Sequence, residues 1–409
     1  MTKEKFYACI VREKLARQLR QTNTPCYLFF QNLIRQRIGD LKNCLKSRFS
    51  IHYALKANPH PVILRMMADS GLGADVASAG ELEAALGAGI PAENIEFSGP
   101  GKTENELMLA VNNGIGSVNA ETLDELRILE RLSGQCGISP NVGIRVNPDF
   151  KKLKSGLRMA GDTQFGIPED QAEQALHFLR EHSGKMNFTG IHVHAGSQIL
   201  DARSVADNIR NIMDMALNFE KIGGLSVGKI NFGGGWGVNY FPNQEPLDLN
   251  LVSAELDALF QKSPYQELSE RTKLIVEPGR FLVAEGGIYV TKLLYRKQVR
   301  SKEFAIADGG MHQNYLLAGG MGQVIKRNFE MDILPGADTL GDRPQKAFKM
   351  DIAGKLCTPQ DILAVNFGCE SEVFPGDYVV FLNCGAYGLS ASPVNFLSHP
   401  LPEEVFCPS

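Results

Sequence analysis

Along residues 27–280 two kinds of apolar pattern alternate. Short apolar runs end in polar residues or glycine, as buried strands do. Longer stretches between them repeat their apolar positions at helical spacing. The pattern predicts strands near 27–30, 52–57, 73–77, 95–99, 116–119, 142–147, 190–196, 229–235 and 273–278. It predicts helices over 80–89, 104–113, 123–132, 169–182, 205–222 and 252–262. Two of them open on Thr-x-x-Glu, at Thr103–Glu106 and Thr122–Glu125. That spacing lets the hydroxyl and the carboxylate each satisfy a free backbone N–H of the first turn. About eight strand–helix units over roughly 250 residues favour a closed (β/α)8 TIM barrel over an open sheet.

After about residue 285 the pattern changes. Segments 287–299, 303–308, 347–352 and 377–383 are β-branched or alternating, with few helical stretches between them. They predict a second, C-terminal and mainly antiparallel β domain. The segment 332–346 is rich in Pro, Gly and charge and reads as a surface loop.

Composition narrows the function. Forty-two Lys+Arg against 46 Asp+Glu give a formal charge of −4, with no basic surplus for nucleic acid. Apolar residues at 44% and charged residues at 22% describe a chain with a large core rather than a disordered one. No run approaches the roughly 18–20 apolar residues of a membrane span. The start, MTKEKFYACIVREKLARQL, has no apolar signal core, so a cytoplasmic protein with no membrane partner is expected. Eight cysteines are scattered without a C-x-x-C pair, which predicts reduced thiols and no structural metal.

In a barrel, side chains at the C-terminal ends of the strands converge on one face. Lys56 closes the run 52–57, Asp75 lies in GADVAS and Arg145 in GIRVNP. His194 and Ser197 go with the run 190–196, Gly233-Gly234-Gly235 ends the next, and Glu277 and Arg280 end the last. Singly, each has a plain reading: a snorkelling lysine, a core histidine, a turn. Together they make a rim for an anionic, aromatic cofactor. Glycine amides, Ser197 and Arg280 suit a phosphate. Lys56, once desolvated, suits a Schiff base with a carbonyl. Glu277 suits a pyridinium nitrogen. A nicotinamide cofactor fits less well, because GGGWG is not G-x-G-x-x-G and comes late in the chain.

Eight motifs then occur in order: YALKAN (53–58), DVASAGEL (75–82), HVHAGSQ (192–198), the Gly triplet, EPGR (277–280), ADGGM (307–311), LCTPQD (356–361) and GAYG (385–388). Over nearly the whole chain this resembles the fold-type III pyridoxal-phosphate decarboxylases of the ornithine, arginine and diaminopimelate group. The resemblance implies pyridoxal 5'-phosphate as cofactor, with Lys56 as the Schiff-base lysine. It places His194 on the pyridine ring and Glu277 at the pyridine nitrogen. Ser197, Gly234, Gly235, Arg280 and Tyr387 bind the phosphate, and Asp75, Arg145 and Gly279 complete the cofactor set. Cys357 returns a proton to Cα after CO2 leaves, and reaches the site from the partner subunit of a head-to-tail homodimer. The implied domains are a barrel over 27–283 and a β domain of 1–26 plus 284–409. Related racemases set a cation beside the pyridine nitrogen, so Glu277 speaks for decarboxylation.

The substrate end departs from the common members. Diaminopimelate decarboxylases follow the cysteine with Glu-Ser, whereas Cys357 precedes Thr358-Pro359. After ADGGM they carry an arginine for a carboxylate, whereas this chain continues His312-Gln313-Asn314-Tyr315. Asp308 matches the aspartate that ornithine decarboxylases use for a distal amine, unless the backbone alone requires it. Asp308, His312 and Thr358 are therefore the candidate substrate residues. LCTP, GQVIKRNF and GLSASPVNFLSHP look more like a subgroup from natural-product gene clusters, one branch of which decarboxylates a glutamyl group on an acyl-carrier protein. The leading expectation is an amino acid carried as a conjugate. The alternatives are a free basic amino acid or diaminopimelate, and a non-catalytic homologue that binds partners only.

Overall fold

The computed structural model describes residues 1–149, 157–320, 326–336 and 343–407. The chain forms two compact units. One consists of 38–237 and 247–279, the other of 1–37, 238–246 and 280–409.

The first unit is a closed parallel barrel. Its strands are β1 (Phe49–Ala54), β2 (Gly73–Val76), β3 (Ile95–Phe97), β4 (Ser117–Ala120), β5 (Asn141–Asn147), β6 (Asn187–His192), β7 (Lys229–Asn231) and β8 (Lys273–Val276). Each pairs in parallel with the next along the chain, and β8 pairs with β1 to close the ring. β2, β3 and β4 are buried at every position, and the polar residues they carry, Asp75, Glu96, Ser117 and Asn119, are buried with them. Helices Ala79–Gly87, Glu104–Asn112, Leu123–Cys136, Ala172–Glu181, Ala202–Gly223 and Leu249–Phe260 fall where helical spacing predicts them. Pro61–Asp69 is a further helix that the pattern did not separate.

The two expected capping boxes differ. Thr103 accepts from the Glu106 N–H while Glu106 accepts from the Thr103 N–H, which completes the first. Thr122 accepts from the Glu125 N–H, but Glu125 accepts from the Glu121 N–H and pairs with Lys102 at 2.8 Å. A buried lysine thus takes the carboxylate that the second box needs.

The second unit is a mixed, mainly antiparallel sheet. Gly287–Val299 is its long strand, flanked by Tyr378–Phe381 and Lys302–Ala307, both antiparallel to it. Met331–Leu334 pairs with Tyr378–Phe381, and Gln345–Ala353 lies between Lys302–Ala307 and Ile362–Ser371. Cys26–Phe30 pairs antiparallel with Gly287–Val299 and parallel with Glu403–Cys407. Phe6, Leu15, Leu19, Leu28, Ile288 and Val380 share its core.

Three expectations are corrected here. The run 27–30, expected as the first barrel strand, belongs to this second sheet. It is buried at every position, so its apolar pattern matches that of a barrel strand. The unit boundaries therefore lie inside the expected 27–283, and residues 238–246 join the sheet unit as well. The segment 332–346 is not one loop, because it opens within the strand Met331–Leu334 and closes on Gln345–Ala353. Residues 337–342 of that segment, and 322–325 of GQVIKRNF, lie outside the described residues. Among the described residues no helix is long and apolar enough to cross a membrane.

Candidate active site

β1 ends at Ala54, and Lys56 stands on the 3-10 turn Leu55–Ala57 just beyond it. A strand end followed by one tight turn projects the side chain at the rim. The Lys56 ammonium reaches Asp75 Oδ2 of β2 at 2.9 Å. Asp75 is 2% exposed, and its Oδ1 has no hydrogen-bond partner among the described residues. Burial and then the Glu277 charge push the Asp75 carboxyl up, against Lys56. No room is left for a Cβ at Gly279, which would stand 2.9 Å from the Ala57 side chain.

β6 ends at His192, so His194 lies past the strand in the turn that follows. Its Nδ1 accepts from the Gly234 N–H at 3.0 Å. Desolvation, then Lys56 and Arg145, push its pKa down to about 3. The ring is therefore neutral near pH 7, with its proton on Nε2. The Gly triplet lies past the end of β7. A Cβ on Gly234 would stand 2.2 Å from the Glu277 carbonyl oxygen, and one on Gly235 would stand 2.1 Å from that of Gly196. Only glycine allows these backbones to close on one another.

Glu277 follows β8 and is 3% exposed. Its Oε1 accepts from Asn231 Nδ2 at 2.6 Å, and its Oε2 lies 3.1 Å from His192 Nε2. Burial alone raises the carboxyl, but the His192 ring beside it, then the Lys56 ammonium, outweigh it and hold it well below its usual range. Arg145 on β5 donates to Glu121 Oε1 at 2.8 Å and lies 4.7 Å from the Phe165 ring centroid. Glu121 also accepts the N–H groups of Gly99 and Gly166, which fixes the arginine from behind.

The barrel unit thus brings Lys56, Asp75, Arg145, His194, Ser197, Gly234, Gly235 and Glu277 to the strand ends. Those residues fit pyridoxal phosphate. An amine stands at the rim, beside a buried aspartate oxygen lacking a partner. A neutral imidazole, an anionic carboxylate and a glycine turn without room for side chains complete the set. Sequence reasoning missed His192, Asn231 and Glu121, which hold these groups in place. Their one signal was a polar residue inside or beside an apolar barrel run.

In the second unit Arg280 donates to the Tyr240 hydroxyl at 2.9 Å. Its guanidinium lies 4.5 Å from the Tyr387 ring centroid. Tyr387 adopts a left-handed backbone at φ 53°, an uncommon conformation for a bulky residue and one that clusters at functional sites. Cys357 is exposed, and its loop is anchored by Asp361. That carboxylate accepts from the Met311 N–H at 2.7 Å and the Leu356 N–H at 2.9 Å, which stitches ADGGM to LCTPQD. The Asp308 oxygens accept from the Thr24 hydroxyl at 2.6 Å and the Lys292 N–H at 2.8 Å. His312 is fully buried with its ring 5.2 Å from that of His399, and Thr358 is half-buried.

Residues 31–284 match the family described as "Pyridoxal-dependent decarboxylase, pyridoxal binding domain". The chain belongs to the pyridoxal-dependent decarboxylases. This decarboxylase is 37% identical to the L-glutamyl-[BtrI acyl-carrier protein] decarboxylase of Niallia circulans, over 93% of this chain and 88% of that protein. It is 32% identical to the diaminopimelate decarboxylase of Aquifex aeolicus, over 92% of this chain and 85% of that one. The crystal structure of diaminopimelate decarboxylase from Helicobacter pylori complexed with L-lysine superposes with a TM-score of 0.83 at 29% identity, covering 96% of this chain and 93% of that one. The protein is an amino-acid decarboxylase, and pyridoxal phosphate is its cofactor.

Proposed function

We propose that this decarboxylase acts on an amino acid carried as a conjugate, a glutamyl or other aminoacyl group on an acyl-carrier protein. The observation that carries the reading is the 37% identity, over 93% of the chain, to an enzyme named for that substrate. One feature agrees with it: Thr358 follows Cys357 where an acid would read a free distal end.

In this reading Lys56 provides the amine that anchors the cofactor, and Asp75 holds that amine at the rim. Glu277, as an anion, keeps a proton on the facing ring nitrogen, and His194 covers the ring's flat side. We assign the phosphate to Ser197, Gly234 and Gly235, and on the family pattern to Arg280 and Tyr387. Bound pyridoxal phosphate supplies the protonated ring that accepts the electron pair of the breaking Cα–carboxyl bond. The Cys357 thiol then gives its proton to Cα. We assign that thiol to the partner subunit of a cytoplasmic homodimer.

The test is CO2 release by the holoenzyme on two panels. One holds free diaminopimelate, ornithine, lysine, arginine and glutamate; the other holds glutamyl and aminoacyl thioesters of a carrier protein. Release from the thioesters alone is expected. Release from free diaminopimelate would replace the proposal with the second reading, which the Aquifex and Helicobacter relatives favour.

A further inference from the structure

The barrel interior carries a row of buried polar groups that the reaction above does not use. Glu96, Ser98, Asn119, His192 and Asn231 are each no more than 5% exposed. Asn119 Nδ2 lies 3.1 Å from Ser98 Oγ and 3.4 Å from Glu96 Oε2. Ser98 Oγ lies 3.4 Å from His192 Nδ1, and His192 Nε2 lies 3.1 Å from Glu277 Oε2.

With His192 as a neutral imidazole these bonds have one consistent direction. Lys229 donates to Glu96 at 3.2 Å, so Glu96 is an acceptor for Asn119. Asn119 then gives one amide proton to Glu96 and the other to Ser98. Ser98 receives that proton and has a single one of its own, which goes to His192 Nδ1. The imidazole therefore carries its proton on Nε2 and donates it to Glu277. Asn231 is fixed from its other side, because its Oδ1 accepts from the Gly233 N–H at 3.0 Å. Its Nδ2 is thus turned to Glu277.

We infer that His192 is a positioning residue, the last link of a one-way donor chain from Asn119 through Ser98 that holds Glu277 as a carboxylate. A protonated Glu277 would meet two groups, Asn231 Nδ2 and His192 Nε2, that can only donate in this arrangement. Its own proton would have no acceptor there, and an unsatisfied buried donor is costly. The two donors use half of the carboxylate's four acceptor sites and leave the rest for a proton-bearing ring nitrogen. The titratable groups surrounding Glu277 are Lys56, Asp75, His52, His192 and His194, with Glu96 further along. Asp75 and Glu96 both oppose a second negative charge, so the donor chain works against them.

The inference rests on Glu277 facing the cofactor, and the experiment separates the two ideas. Holoenzyme bearing His192→Leu, His192→Gln, Ser98→Ala or Glu277→Gln is followed by its pH profile and by the visible absorbance that reports retained cofactor. His192→Leu should move the acid limb of kcat/KM up by about one pH unit and weaken cofactor retention about tenfold. His192→Gln, whose amide keeps a donor near the Nε2 position, should recover most of both. A packing role alone would give two equally impaired variants with the acid limb in place, and that outcome overturns the inference. Ser98→Ala touches neither Glu277 nor the rim and decides the matter if His192→Leu fails to fold. Its acid limb should move the same way by less, and an unmoved limb overturns the inference. Unchanged behaviour of Glu277→Gln would instead remove Glu277 from the cofactor, and both ideas with it.

Discussion

His52 lies on β1 with 1% of its surface exposed, and its Nδ1 has no hydrogen-bond partner among the described residues. Burial, then the Lys273 charge, lowers its pKa from 6.5 to about 3. The unfolded chain therefore binds a proton below pH 6.5 that the folded barrel refuses. Stability is fully present above that pH and falls as pH drops toward 3, by about 2 kcal/mol from this residue at pH 5. His194, lowered to about 3, and His312, lowered to about 4, act with the same sign. Urea unfolding at pH 7 and pH 5 should show His52→Leu losing less stability on acidification than the wild type. Parallel losses would exclude this source. At this scale the sequence was informative at the rim and silent beneath it. Lys56, His194 and Glu277 stood out because each breaks the end of an apolar run. His192 and Asn231 also end their strands, but their partners lie 40 or more positions away in the chain, where local spacing has no reach.

Helix Glu104–Asn112 is only nine residues long, too short to hold itself in water, so its first turn matters. The reciprocal Thr103–Glu106 pair satisfies two of its free N–H groups. Thr103→Ala should destabilise the protein by about 1 kcal/mol in chemical denaturation while leaving kcat unchanged. A fall in kcat with stability intact would show that the cap has another task. Capping was legible because it depends on four consecutive residues. The fate of Glu125 was not, because it turns on Lys102, an ion pair between side chains 23 positions apart. The strand Cys26–Phe30 was legible as a strand and misread as to sheet, since periodicity reports burial on both faces but not the identity of the neighbour.

At the scale of the whole molecule, the proposed homodimer makes a quantitative forecast. Lys56→Ala alone should abolish Schiff-base absorbance and most turnover, and Cys357→Ala should keep the absorbance and lose rate or product fidelity. If each site takes Lys56 from one subunit and Cys357 from its partner, refolding an equal mixture should restore about one quarter of wild-type activity. Half the dimers are then mixed, and each has one site with both residues. Activity no greater than the sum of the two variants would place both residues in one subunit. The (β/α)8 count and the β-rich end were legible because both are properties of long stretches. The split of the second unit into three chain segments was not, because a segment's destination depends on partners several hundred residues away.

That split has a consequence during synthesis. Every segment of the barrel unit has been made by residue 279, so the barrel can close while the rest of the chain is still emerging. The strand Cys26–Phe30 cannot be completed so early. It needs Gly287–Val299 on one side and Glu403–Cys407 on the other. At roughly 5–20 residues per second, the second neighbour leaves the ribosome on the order of 20–75 s after the strand itself. Through that interval CYLFF, apolar along its whole length, is a strand with open edges.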